Sequence, residues 1–152
     1  MMIQLKPRPW SFLVLWALVS SASAQIANSA ETLERAKAAK TVTESFSVLG
    51  IANPEPGTRV LLEAPDIVVA KRSFPIKVIS RTPGTDWIAI FVEHGPKPLL
   101  ELKEYSPGVD HQLTAVLQLE QTTRIRVIVR SGGRFYQTTR EVKVAKVETA
   151  AR

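Results

Sequence analysis

Arginines near the end of the chain are the residues best suited to bind something. They fall on the last two apolar runs together with two lysines, and their guanidinium groups bind oxyanions and carboxylates through paired hydrogen bonds. These basic residues could bind either an acidic protein partner or an anion. Alternatively, they are solvated charges on a sheet face that prevent edge-to-edge aggregation. The candidate face consists of Arg124, Arg126, Arg130, Arg134 and Arg140, with Lys143 and Lys146 beside it.

Other reactive side chains lack a recognisable constellation. The two histidines, His94 and His111, adjoin predicted turns and have no metal-binding spacing, and the chain contains no cysteine. No serine lies in a G-x-S-x-G context, and no glycine-rich loop has the spacing of a phosphate-binding loop. The sequence therefore predicts no catalytic, cofactor-binding or metal-binding residue, and we expect a protein that is not an enzyme.

The N-terminal 24 residues have the organisation of a secretory signal. Lys6 and Arg8 precede an apolar run over residues 10–19, and Ser21–Ala24 ends in an A-x-A cleavage pattern. The run is shorter than the about 20 apolar residues that a membrane-spanning helix needs. We therefore expect a general secretory signal peptide at residues 1–24, cleavage after Ala24, a periplasmic protein and no remaining membrane anchor.

The charge balance gives little reason to expect nucleic acid as a partner. The 152 residues carry 20 Lys plus Arg against 14 Asp plus Glu, a formal charge of +6, and removal of the signal takes away two of those positive charges. An exported protein with so modest a surplus does not require a nucleic-acid partner. A hydrophobic content of 45% is that of an ordinary globular domain.

Residues 25–56 are predicted to form a helical arm and linker. Ala30–Lys40 is rich in helix-forming residues and follows an N-cap pair, Asn28 and Glu31. This first helix has no continuous apolar stripe, so we expect it to fray or to project from the domain.

A second helix has stronger signals. Thr41 and Glu44 form a capping box, and Gly50 stands where the helix is expected to close. Its apolar residues recur at helical spacing, so we expect it to dock on the domain; they are Val42, Phe46 and Leu49.

Residues 57–148 change to the period-two pattern of β-strands. Seven short apolar runs are separated by proline- and glycine-containing turns, and Gly132-Gly133 predicts a tight hairpin. Residues 87–93 are apolar on both faces, as in a central strand, with Trp87 and Phe91 either in the core or at a partner interface. We predict an all-β, immunoglobulin-like antiparallel β-sandwich of about seven strands, with a short tail at residues 149–152.

The order of three segments resembles the SoxY family, the sulfur-carrier subunits of the thiosulfate-oxidising Sox system. The helix at Thr41–Gly50 is also similar to the segment before the SoxY sandwich, so the resemblance covers residues 41–144. It implies an immunoglobulin-like fold, pairing with a second small sandwich, SoxZ, and a mobile Gly-Gly-Cys-Gly-Gly terminus whose thiol carries sulfur. The segments are Leu62–Ile67, residues 88–99 and Arg134–Val144.

This sequence departs from that pattern at its end. Val144–Arg152 contains neither glycine nor cysteine, so no carrier residue transfers to any position here. SoxY also typically resembles a twin-arginine export substrate, whereas the signal here has no arginine pair, so we expect a partner with its own signal or a protein acting without one.

Two hypotheses about function remain open. The first is an exported, non-catalytic SoxY-like binding or scaffold subunit of thiosulfate oxidation. It would pair with a SoxZ-like or another periplasmic protein and would be unable to carry sulfur covalently. The second is a module that binds sulfur oxyanions reversibly on the basic sheet face.

Overall fold

The computed structural model describes residues 21–147. Most of the predicted signal peptide and all of the predicted tail at residues 149–152 lie outside the described residues. No helix in the described range has the combination of length and apolar composition required to cross a membrane.

Two helices and nine strands make up the described part of the chain. The helices are α1 (Ser21–Ala38) and α2 (Val42–Leu49). The strands are β1 (Glu55–Pro56), β2 (Val60–Glu63), β3 (Ile67–Val69), β4 (Ser73–Ser80), β5 (Thr85–Val92), β6 (Leu99–Glu104), β7 (Gln112–Gln118), β8 (Thr123–Ser131) and β9 (Arg134–Ala145).

The strands form two sheets, which confirms the predicted β-sandwich. The larger sheet has the order β1-β9-β8-β5-β6 with β3 also paired to β9, and the smaller has the order β2-β4-β7. All seven predicted strands are present. The two additional strands, β1 and β3, are two and three residues long and pair in parallel with opposite ends of β9. They lie along the side of β9 that faces away from β8.

The main core lies between the two sheets and follows the period-two pattern of the sequence. In β4 the alternate residues point inward, and in β8 the inward residues alternate with arginines. Fully or almost fully buried side chains of this core include Ile76, Val78, Ile88, Ile90, Ile125, Val127, Val129 and Val142.

A second apolar cluster covers the outer face of the larger sheet. Trp87, Ala89 and Phe91 of β5 point away from the sandwich core and are at most 6% exposed. The side chains packed on them from the helical arm include Leu33, Ala36, Phe46 and Ile51. Strand β5 is therefore buried on both faces because one face meets the second sheet and the other meets the arm.

The second helix has the predicted boundaries. The Thr41 side chain accepts a hydrogen bond from the Glu44 amide at 3.1 Å, as an N-cap residue does. At the other end Gly50 adopts φ 68°, and the amides of Gly50 and Ile51 donate to the carbonyls of Ser47 and Phe46. These are the bonds of a Schellman C-cap, which orients the chain toward β1.

The first helix differs from its prediction in both extent and contacts. It begins at Ser21, so Asn28 lies inside the helix and is not its N-cap. Its last turns do not project: Ala36 is fully buried, and its carbonyl accepts a hydrogen bond of 2.9 Å from the buried Ser45 hydroxyl of α2. The contact was missed because it depends on a small residue and a polar residue, which leave no apolar stripe in the sequence.

Substitution of Leu117 tests whether the residues of β7 that are assigned to the core do face the core. Leu117 is 4% exposed in β7 and pairs opposite Phe74 of β4. We predict that Leu117→Ala lowers the free energy of unfolding by about 2–5 kcal/mol, because a cavity replaces the isobutyl group. Chemical denaturation measures this difference. His94→Ala is the control: its side chain is exposed, so we expect a change within about 0.5 kcal/mol. A near-zero effect of Leu117→Ala would contradict the described packing.

Candidate functional site

The arginine-bearing strands form the predicted hairpin. Strands β8 and β9 pair antiparallel from Thr123 opposite Val142 to Ser131 opposite Arg134. Gly132 and Gly133 connect them at φ 56° and 77°, a left-handed conformation that disfavours side chains. The hairpin occupies the middle of the larger sheet, between β5 and the two short parallel strands.

Three of the five candidate arginines share the outer face of this sheet. Arg124, Arg126 and Arg130 alternate with the buried residues of the sandwich core. Arg140 is opposite Ile125 and therefore lies on the other face of the sheet, whereas Arg134 is at the hairpin turn. The sequence pattern placed these residues on two neighbouring strands; the structure distributes them over two faces and one end.

Arg126 sits where the sheet meets the helical arm. Its Nη2 donates to Glu93 Oε1 at 2.8 Å, and its guanidinium carbon is 5.7 Å from the centroid of the Phe46 ring. The side chains of Arg126 and Glu93 are 28% and 23% exposed, so their charges are partly shielded from water. The Arg126 Nε is buried without a hydrogen-bond partner in the described structure. Arg126 thus ties β8 to the end of β5 and covers one side of Phe46.

Three of the other candidate arginines also lie near a carboxylate. Arg124 is 3.9 Å from the same Glu93 oxygen, and Arg130 Nε is 3.3 Å from Asp86. Arg140 Nη2 is 2.7 Å from Asp66, and its Nη1 reaches the carbonyl of Leu62 in β2. Four of the five arginines therefore have an acidic partner within the chain. Among residues 21–147, Arg134 alone of the five has no ion pair.

The sequence pattern did not identify these carboxylates as partners of the arginines. Asp66 and Asp86 lie 74 and 44 positions from their arginines, and Glu93 lies 33 from Arg126. The sequence shows both charges, but only the strand order brings them together. The one local signal is that Glu93 directly follows β5, the strand that neighbours β8.

Two surface clefts lie away from the arginine face. One, of about 200 Å³, is bordered by Arg59, Thr82 and Tyr136, and the other, of about 490 Å³, by Glu63, Pro75 and Lys77. Neither cleft is lined by any of the five arginines. These two clefts therefore offer no enclosed binding site at the candidate arginines.

The histidines and acidic residues do not assemble into a metal site in the described range. Residues 21–147 contain no group of three His, Cys, Asp or Glu side chains placed to hold an ion. His94 is exposed, and His111 packs edge-on against Tyr105 with 5.4 Å between ring centroids. The Tyr105 hydroxyl donates to the carbonyl of Gln112 at 2.6 Å, and burial raises its pKa.

Comparison with known proteins gives one family and a shared fold. The family described as sulfur oxidation protein SoxY matches residues 46–146, which include the second half of α2 and all nine strands. The solved structure of the sulfur carrier protein SoxY from Chlorobium limicola f. thiosulfatophilum aligns with a TM-score of 0.65 and 24% identity. That alignment covers 69% of this chain and 96% of the Chlorobium chain.

A second solved structure shares only the architecture. The superoxide reductase (neelaredoxin) of Ignicoccus hospitalis aligns with a TM-score of 0.52 and 20% identity, over 57% of this chain and 80% of the reductase. No curated protein sequence matches the chain.

Arg126 and Arg124 provide a matched test of what the ion pairs contribute. Arg126→Ala removes the 2.8 Å bond and the contact with Phe46, and we predict a loss of about 1–3 kcal/mol in the free energy of unfolding. Arg124 is 51% exposed at 3.9 Å from Glu93, so Arg124→Ala is expected to change it by less than about 0.5 kcal/mol. Urea denaturation compares the two variants. Equal losses would mean that Arg126 has no special structural role.

Proposed function

The chain belongs to the SoxY family, and we propose that it serves sulfur oxidation as a non-catalytic binding subunit that pairs with a SoxZ-like β-sandwich protein. The observation that carries the proposal is that the family match extends over the whole sandwich and the second half of α2. The domain keeps the family fold, and its half-exposed arginines together with the unpaired Arg134 can contact another protein.

The manner of binding follows from the side chains available. The Chlorobium relative is described as a sulfur carrier, and carriage of sulfur by a covalent bond requires a thiolate. Residues 1–152 contain no cysteine. We propose that these residues take part through protein contacts and that the covalently bound sulfur is held elsewhere in the complex.

The ion pairs favour a protein partner over a free anion on the arginine face. A small oxyanion would have to compete with Glu93 and Asp86 for Arg126 and Arg130, and exposed pairs gain little from the exchange. A protein surface can instead add contacts to the half-exposed Arg124 and Arg130 without displacing their carboxylates. Arg134, unpaired at the hairpin turn, is the arginine most available to an acidic group.

Export completes the proposal. The signal pattern at residues 1–24 would deliver the chain to the periplasm through the general secretory route. A SoxZ-like partner would then need its own signal, because that route transports unfolded chains one at a time.

A binding titration tests the partner. We predict that the SoxZ-like protein of the same organism binds the purified chain in calorimetry, and that Arg124→Glu with Arg134→Glu weakens binding at least tenfold. The control pair, Arg72→Glu with Arg81→Glu, changes the charge equally at exposed positions outside the candidate face and should leave affinity unchanged. Absence of a complex, or equal weakening by both pairs, would contradict the proposed partner face.

Thiosulfate separates the two functional hypotheses. We predict no thiosulfate adduct in the mass spectrum of the isolated chain and no saturable heat on titration with thiosulfate alone. Saturable, salt-sensitive binding that is lost on changing Arg126 and Arg130 to Ala would favour the reversible anion module instead.

A further inference from the structure

Strand β7 is an open sheet edge with unusual composition. It lies at one side of the smaller sheet and, among residues 21–147, pairs only with β4. Gln112–Leu119 contains no charged residue and no proline, although 22% of the whole chain is charged. Natural proteins normally protect such an edge with lysine, proline or a covering segment, because unpaired backbone groups readily join another strand.

The other edges of the described sandwich are protected. Strand β6 carries Glu101, Lys103 and Glu104. The Leu62 carbonyl of β2 receives a hydrogen bond from Arg140, and β9 is covered by the short strands β1 and β3. At β7 one end of the edge is occupied, because the Tyr105 hydroxyl donates to the Gln112 carbonyl. Within residues 21–147 the middle of the edge, around Ala115, has no comparable charge, proline or covering segment.

The sequence of β7 is nearly symmetric about Ala115. Gln112-Leu-Thr-Ala-Val-Leu-Gln118 reads the same in both directions except that Thr114 faces Val116, and these two side chains have almost the same shape. In a two-fold symmetric pair, each residue before the axis lies opposite the residue the same distance after the axis in the other copy. The two side chains of each such pair must therefore be compatible. The residue pairs of β7 meet this condition, and the strand has no charged side chain that would repel the same strand of a second copy.

The backbone of β7 has the right register for such a pair. The Ser80 amide donates to the His111 carbonyl at 2.8 Å, which directs the backbone groups of residue 111 toward β4. Because these groups alternate along an antiparallel strand, those of Thr114 and Val116 point to the open edge. With the axis at Ala115, Thr114 of each copy is opposite Val116 of the other. The backbone groups of these two equivalent pairs can form the hydrogen bonds of an antiparallel ladder.

The side chains at this edge are accessible. Thr114, Gln112 and Gln118 are exposed, and Val116 is 65% exposed. In the symmetric pair Val116 would pack against the partner's Thr114 on the outer surface of a continuous six-stranded sheet. That contact removes an apolar side chain from water in each copy.

We propose that two copies of this chain associate through antiparallel pairing of their β7 strands, with the two-fold axis at Ala115. This surface lies on the smaller sheet, whereas the arginine face lies on the larger one. Self-association therefore goes beyond the proposed SoxZ-like complex, and its test uses the purified chain alone.

Sedimentation equilibrium tests the association. We expect the unmodified protein to dimerise with rising concentration, and Thr114→Lys with Val116→Lys to weaken dimerisation at least tenfold, because lysines would face each other across the pair. The control, Leu61→Lys with Ile67→Lys, adds the same charge at exposed apolar positions off the β7 edge and should dimerise normally. A protein that stays monomeric, or equal loss in both variants, would overturn the proposal.

Cross-linking tests the register even if the lysine variant does not fold. The chain has no cysteine of its own, so single Thr114→Cys and Val116→Cys proteins can be mixed and oxidised. We expect a mixed disulfide to exceed both symmetric disulfides, because residue 114 is opposite residue 116 at a spacing a disulfide can span. No preference for the mixed product would contradict the axis at Ala115. A β7 edge that pairs only with a SoxZ-like chain would appear as a monomer here and would likewise overturn the proposal.

Discussion

The structure depends on keeping water from both faces of β5. This strand is apolar over residues 87–92, and its alternate side chains point in opposite directions, so one neighbouring layer covers only half of them. The smaller sheet covers Ile88, Ile90 and Val92, and the helical arm covers Trp87 and Phe91. The arm is thus part of the folded domain, and Phe46, whose ring meets Phe91 edge-on at 4.9 Å, is its central contact.

This constraint decides which surfaces remain for other molecules. Because the arm and the β8 arginines occupy the outer face of the larger sheet together, Arg126 is committed to Glu93 and Phe46. Three regions remain accessible to other molecules. They are the half-exposed Arg124 and Arg130, the hairpin turn with Arg134, and the uncharged β7 edge of the smaller sheet. The surface proposed for a SoxZ-like partner and the surface proposed for self-association therefore lie on different sheets.

The sequence predicted features that depend on neighbouring residues and missed those that depend on strand order. The Gly132-Gly133 hairpin, the Thr41 cap and the alternation of β8 each follow from local chemistry, and all are present. The docking of α1 combines Leu33 with the small Ala36 and a hydroxyl from Ser45, a set that does not form a continuous apolar stripe in the sequence. The positions of the arginines on two neighbouring strands follow from the sequence, whereas their ion pairs with Asp66 and Asp86 do not, because those pairs depend on which loops lie beside β8 and β9.

Fluorescence of Trp87 tests most directly whether the arm closes the outer face. In a chain that begins at Gln25, Trp87 is the sole tryptophan, because the other two are Trp10 and Trp16. Acrylamide should quench it weakly, and Phe46→Ala should increase quenching and shift the emission to longer wavelength, since water then reaches the face beside Phe91. Quenching of the unaltered protein as efficient as that of a free tryptophan derivative would contradict the closed face.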